Sequence, residues 1–137
     1  MFEMNRFYEQ ATAMADTLRA DRRALHGMPE LGMELPRTTA YVEQRLGQMG
    51  LEPTRLGGGL TVCIGPQKGP VFLLRGDMDA LKMQEASGLD FAATGECAHT
   101  CGHDLHTAML LGAAALLKQR EAELPGRVKL MFQPSEE

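Results

Sequence analysis

The chain has 137 residues, 44% of them hydrophobic and 23% charged, with a formal net charge of −4. That is apolar enough for a core, and its negative balance excludes the basic footprint of a nucleic-acid or anionic-membrane binder. Three cysteines cannot all pair within one chain, no apolar run approaches the roughly 20 residues of a membrane helix, and residues 1–6 do not read as a signal peptide, so a reducing, cytoplasmic setting is expected.

Asn5 reads as a helix N-cap, and Phe7, Ala11, Met14, Leu18 and Leu25 then follow helical spacing, the buried face of a single amphipathic helix bounded by Pro29. Arg19, Arg22 and Arg23 load its last turns with positive charge, which suits the negative end of the helix dipole. A second helix is predicted from Pro36, a favourable first helical position, burying Val42, Leu46 and Met49 and ending at Gly50. Gly57-Gly58-Gly59 reads as a flexible turn, since no lysine and helix start follow in the register of a phosphate loop. Leu60 to Ile64 and Val71 to Leu74 are short apolar runs separated by Gly65-Pro66 and Gly69-Pro70, hence strands, with Cys63 in the core. A long helix is expected over roughly Leu105 to Glu123, and a further strand over Arg127 to Phe132. Helices alternating with buried strands argue for an α/β fold in which helices pack on a mixed sheet.

Polar residues gather at the ends of these elements. Arg75-Gly76-Asp77-Met78-Asp79 follows one strand, Gln133-Pro134-Ser135-Glu136-Glu137 follows another, and His99-Thr100-Cys101-Gly102-His103-Asp104-Leu105-His106 leads into the long helix. Ligands of open α/β sheets bind at the carboxyl ends of strands, so three segments carrying carboxylate, thiol and imidazole point to one rim. Cys101 and His103 suit zinc and similar first-row ions, and the nearby helix N-terminus is expected to favour the thiolate. Neighbouring side chains on an extended segment diverge, which lets one of Glu136 and Glu137 hold a cation while the other faces substrate as a general base. Asp77 and Asp79 could simply cap a loop; a site role is favoured for Asp79 and left open for Asp77. His26 is expected against backbone carbonyls or in a structural packing role, and His106 in a supporting or structural position. Cys97, His99, Cys101 and His103 do not suit one tetrahedral zinc, because strict alternation on an extended chain spreads them over roughly 20 Å.

Four ordered motifs run through nearly the whole chain: Arg22-Arg23-Ala24-Leu25-His26-Gly27-Met28-Pro29-Glu30-Leu31-Gly32, Arg75-Gly76-Asp77-Met78-Asp79-Ala80-Leu81, the stretch from His99 to Ala108, and Phe132-Gln133-Pro134-Ser135-Glu136-Glu137. Together they resemble the hippurate hydrolase and auxin-conjugate hydrolase branch of the aminoacylase/carboxypeptidase metallopeptidase superfamily. The resemblance implies the N-terminal portion of a catalytic domain (residues 1–137) whose dinuclear site, loaded with two divalent ions such as manganese or zinc, takes Cys101, His103 and Glu137 as ligands. It further implies Glu136 as the base that activates water and Asp79 as the acid that orients a ligand from behind. The family adds two more histidines and a lid and dimerisation domain, neither found in these 137 residues. Lys82 stands where the family usually has proline, which puts the local turn in question.

The implied activity is hydrolysis of the amide bond of N-acyl amino acids or small peptides, with a small-molecule substrate, no nucleic acid or membrane partner, and a homodimer for the longer protein. The alternative is a truncated, non-catalytic metal-binding or interaction domain. The chain alone is expected to be inactive, with an unpaired apolar edge at Val128 to Phe132.

Overall fold

The computed structural model describes residues 4–137. Four helices pack on one four-stranded mixed sheet, as the α/β reading requires. The predicted first helix is instead two, α1 (Met4–Ala13) and α2 (Ala15–His26), and Asn5 lies inside α1, not at its cap. At Met14 the backbone leaves helical geometry (φ −90°, ψ 3°), and its N–H bonds to the Ala11 carbonyl three residues back. Beyond the break, Leu18 of α2 packs closely over Gly112, where a Cβ would lie 2.6 Å from its Cδ2, so a larger residue would oblige Leu18 to move.

Helix α3 (Pro36–Gln48) begins at Pro36 as predicted. Its capping group comes from outside the helix: Glu30 Oε1 accepts from the Thr38 backbone N–H and hydroxyl, both at 2.8 Å. Tyr41 and Arg45 of α3 both donate to Asp21 of α2, at 2.6 and 2.7 Å. Burial, then the hydrogen bond to Asp21, pushes the Tyr41 hydroxyl up to about 12.

Strand β1 (Thr54–Leu56), not predicted, pairs antiparallel with β2 (Gly59–Ile64) across the glycine turn. That turn is constrained and not flexible. Gly57 has φ +59°, a Cβ on Gly58 would sit 2.0 Å from the Met33 carbonyl oxygen, and one on Gly59 would sit 2.4 Å from that of Phe132. Strand alternation turns Val62 and Ile64 inward and leaves Cys63 exposed, which corrects its placement in the core.

Strand β3 (Val71–Asp77) leads, through an irregular stretch, to α4 (His103–Gln119), a short 3₁₀ turn (Glu121–Glu123) and β4 (Arg127–Gln133). The last strand does not form an edge. It inserts between β2 and β3, giving the order β1-β2-β4-β3, antiparallel to β2 and parallel to β3. The edges are the three-residue β1 and the longer β3, where Val71, Phe72 and Leu73 are 60%, 66% and 52% exposed. Leu60, Val62, Ile64, Leu130 and Phe132 of the sheet close a core with Val42 and Leu46 of α3 and Leu111 and Ala114 of α4. Each of these Val, Leu, Ile and Phe side chains contributes about 1.5–3 kcal/mol by leaving water. None of the described helices is long and apolar enough to cross a membrane.

Candidate metal centre

Because β3 and β4 are parallel and in register from Val71–Arg127 to Asp77–Gln133, both chains leave the sheet at the same rim. Asp77 and Asp79 follow one strand, Glu136 and Glu137 the other. Helix α4, the crossover between them, starts at that rim with His103. Its N-cap, Gly102, has φ +114°, a left-handed conformation that lets Cys101 turn back beside His103. At the other strand end, Ser135 has φ +51°, a strained value for a residue with a Cβ, and the chain folds back over Asp79.

Asp79, 2% exposed, ties these pieces together. One carboxylate oxygen accepts the backbone N–H of Glu136 at 3.0 Å and the other that of Glu137 at 3.1 Å. Its backbone carbonyl lies 2.8 Å from His103 Nδ1. A carbonyl can only accept, so Nδ1 carries a hydrogen, and Nε2 is the ring nitrogen left to meet a cation at the rim. There Nε2 faces carboxylate oxygens of Glu136, Glu137 and Asp77 at 3.3, 3.5 and 3.6 Å.

Sequence-predicted Cys101, His103 and Glu137 therefore meet: one ligand atom of each lies within 4.8 Å of the others. Tetrahedral ligands on bonds of about 2.0–2.3 Å stand roughly 3.5 Å apart, so small side-chain adjustments would let the three share one ion. The electrostatics fit a cation as well. A hydrogen bond with Glu137 raises the Cys101 thiol above its ordinary value, helped by burial and by the charges of Glu137, Glu136 and Asp77. The expected help from the helix N-terminus is thus outweighed by the carboxylates. A divalent cation would reverse this balance, because it stabilises the thiolate and the surrounding carboxylates together.

A second set, Asp77, His103 and His106, also brings ligand atoms within 4.8 Å of one another. Asp77, left open by the sequence, is buried, with Oδ1 2.6 Å from His106 Nδ1 and Oδ2 accepting from Arg75 at 3.2 Å. Burial alone pushes its carboxyl up, yet the His106 bond and the nearby imidazoles more than offset this and bring it below the ordinary carboxylate value. The two sets share His103, and with Nδ1 engaged by the Asp79 carbonyl only Nε2 can meet an ion, one at a time.

Two neighbours were misread or missed in the sequence. His26 does not meet backbone carbonyls; it lies between Asp104 and Glu85, at 2.7 and 2.9 Å. His99 is 6% exposed, with neither ring nitrogen bonded within the chain, and burial depresses its basicity. Residue Lys82, at the position of the family's usual proline, is exposed beside an isolated bridge between Leu81 and Ala98, which holds that turn without proline.

A family profile, peptidase family M20/M25/M40, matches residues 73–137. Over 120 residues the chain is 46% identical to an N-acetyl-L-cysteine deacetylase of Bacillus subtilis, covering 85% of this chain and 29% of that protein. Over 121 residues it is 46% identical to an IAA-amino acid hydrolase ILR1-like protein of Arabidopsis thaliana, covering 85% of this chain and 27% of the relative. Among solved structures, a dinuclear metal-binding peptidase of the M20 family from Bacillus subtilis superposes with a TM-score of 0.86 at 41% identity, over 91% of this chain and 36% of that one. The chain thus spans about a third of the length of these relatives. Motifs, fold and relatives agree, and the family this chain resembles, by profile over residues 73–137 and by relatives over most of its length, is the M20/M25/M40 peptidase family.

Proposed function

We propose that this chain carries the first part of a metal-dependent amidohydrolase that cleaves the amide bond of N-acyl amino acids or small peptides. The observation behind the reading is the setting of His103, whose Nδ1 is engaged by the Asp79 carbonyl at 2.8 Å while Nε2 turns toward Cys101 and Glu137. Cys101, His103 and Glu137 would hold a divalent ion, manganese or zinc, within a centre for two, completed by two histidines outside these residues. Ions bound there would acidify a water molecule and polarise the substrate carbonyl.

The chain's own residues divide the remaining work. Glu136 is the general base: its side chain is 40% exposed and reaches the same His103 nitrogen as Glu137 from a neighbouring backbone position. It takes the proton from water and passes it to the departing amine. Asp79 fixes both glutamates through their backbone N–H groups and orients His103 from behind.

The test is metal content together with turnover of N-benzoylglycine and N-acetyl amino acids, by this chain and by the gene product that contains it. In the longer protein, Glu136→Gln should keep its metal and lose about 10²–10⁴-fold in turnover. Metal retained with no turnover in any form would favour a non-catalytic metal-binding domain. A longer protein that takes up no transition metal would sink both readings.

A further inference from the structure

A buried charged cluster lies beside the metal centre, and the reading above gives it no task. Residues 82–98 form a strap without helix or regular strand, pinned at its base by two backbone hydrogen bonds between Leu81 and Ala98, each 3.0 Å. Midway along, the Glu85 side chain, 5% exposed, accepts from the Ser87 hydroxyl and the Ala93 N–H. Both its oxygens lie 2.9 Å from His26 Nε2. The other His26 nitrogen lies 2.7 Å from Asp104 Oδ2, which also accepts from Arg22 at 2.8 Å. Carboxylates only accept, so the arrangement is satisfied when both His26 nitrogens donate. Phe91 of the strap stands edge-on to His26 at 5.5 Å, and the guanidinium groups of Arg22 and Arg23 cover its ring at 5.1 and 4.7 Å.

The position of this cluster sets its consequence. The turn that carries Cys101 has no regular structure, and Gly102 gives it an unusually free backbone. It is anchored on one side at Ala98, through the strap's base, and on the other at Asp104, next to His103. Glu85, His26 and Asp104 join those two anchors. An apolar cluster of similar volume would hold the same elements together at least as well, so what the charged set adds is a defined direction and register.

We propose that His26 is a positioning residue for the metal centre: by joining Glu85 of the strap to Asp104 at the start of α4, it holds Cys101 and His103 at the spacing one divalent ion needs. This rests on the metal-binding reading of Cys101, His103 and Glu137. The test is titration of the whole chain with cobalt(II), read by the thiolate-to-cobalt absorption band and the visible bands that report coordination geometry. His26→Gln and Glu85→Gln are compared with Asp21→Asn, which weakens the buried link between α2 and α3 and touches none of the cluster's hydrogen bonds. Far-UV circular dichroism monitors folding of each variant.

The expected result is that His26→Gln weakens cobalt binding about tenfold and alters the visible bands, with a smaller loss in Glu85→Gln and none in Asp21→Asn. Unchanged affinity and spectrum in a folded His26→Gln would overturn the proposal. Should His26→Gln not fold, Glu85→Gln decides by the same criteria. Equal weakening in Asp21→Asn would also overturn it, by reducing the effect to general stability. Wild-type chain without a thiolate–cobalt band would instead remove the underlying metal reading, and the proposal with it.

Discussion

Gly102 is where the ligand geometry depends most on a single residue. Nothing lies within 4 Å of the place a Cβ would occupy, so Gly102→Ala meets no collision, only the cost of a left-handed backbone at φ +114°. That cost is about 1–2 kcal/mol, and relaxing it rotates Cys101 away from His103. Gly102→Ala should therefore lose about that much stability in urea unfolding, together with affinity for divalent ions; a variant unchanged in both would show that the turn does not set the ligand spacing. Residues defined by their own chemistry were legible at this scale. Cys101 and His103 stood out because thiol and imidazole at an element end suit a cation, whereas the choice of Glu137 over Glu136 as ligand came from the family resemblance alone. Partners set by distant contacts were not: His26 meets groups 59 and 78 positions away, and no local pattern announces either. The acid that raises the Cys101 thiol was not legible for a similar reason, since it lies 36 positions on, at the end of another strand.

Among the elements, those with strong periodicity or clear punctuation were readable: α3 from Pro36, α4, and strands β2, β3 and β4. The break at Met14 was not, because no proline or glycine marks it. Strand β1 is only three residues long, all exposed, so it carries no alternation to detect. The irregular strap carries a pH prediction. The Ser87 hydroxyl, then His26 and the Ala93 N–H, bring the Glu85 carboxyl down to about 2 from an ordinary 4.5. A carboxyl depressed by folding adds stability that is present above its unfolded value and lost as pH falls through its folded one. The advantage of wild type over Glu85→Gln in urea unfolding should thus be full at pH 6 and shrink between about pH 4.5 and pH 2. An advantage independent of pH across that window would contradict the assigned contacts.

For the molecule as a whole, placing β4 between β2 and β3 does two things. It brings two strand ends to one rim, which assembles the candidate metal centre, and it leaves β3 as an edge opposite the short β1. Strand order of this kind is not written in local sequence, which is why the wrong strand was expected at the edge. Val71, Phe72 and Leu73 present an apolar, hydrogen-bond-hungry edge, the usual route to strand-to-strand association. The chain should self-associate with rising concentration in analytical ultracentrifugation, and Phe72→Lys should suppress this; a wild-type monomer at all concentrations would refute the edge argument.

Most direct for the central claim is zinc X-ray absorption on the metal-loaded chain, which reads the ligand set without reference to turnover. The account predicts one sulfur scatterer at about 2.3 Å beside nitrogen and oxygen, lost in Cys101→Ser and kept in Cys97→Ser. A wild-type shell without sulfur, or one that Cys101→Ser leaves unchanged, would contradict the convergence of Cys101, His103 and Glu137 on a single ion.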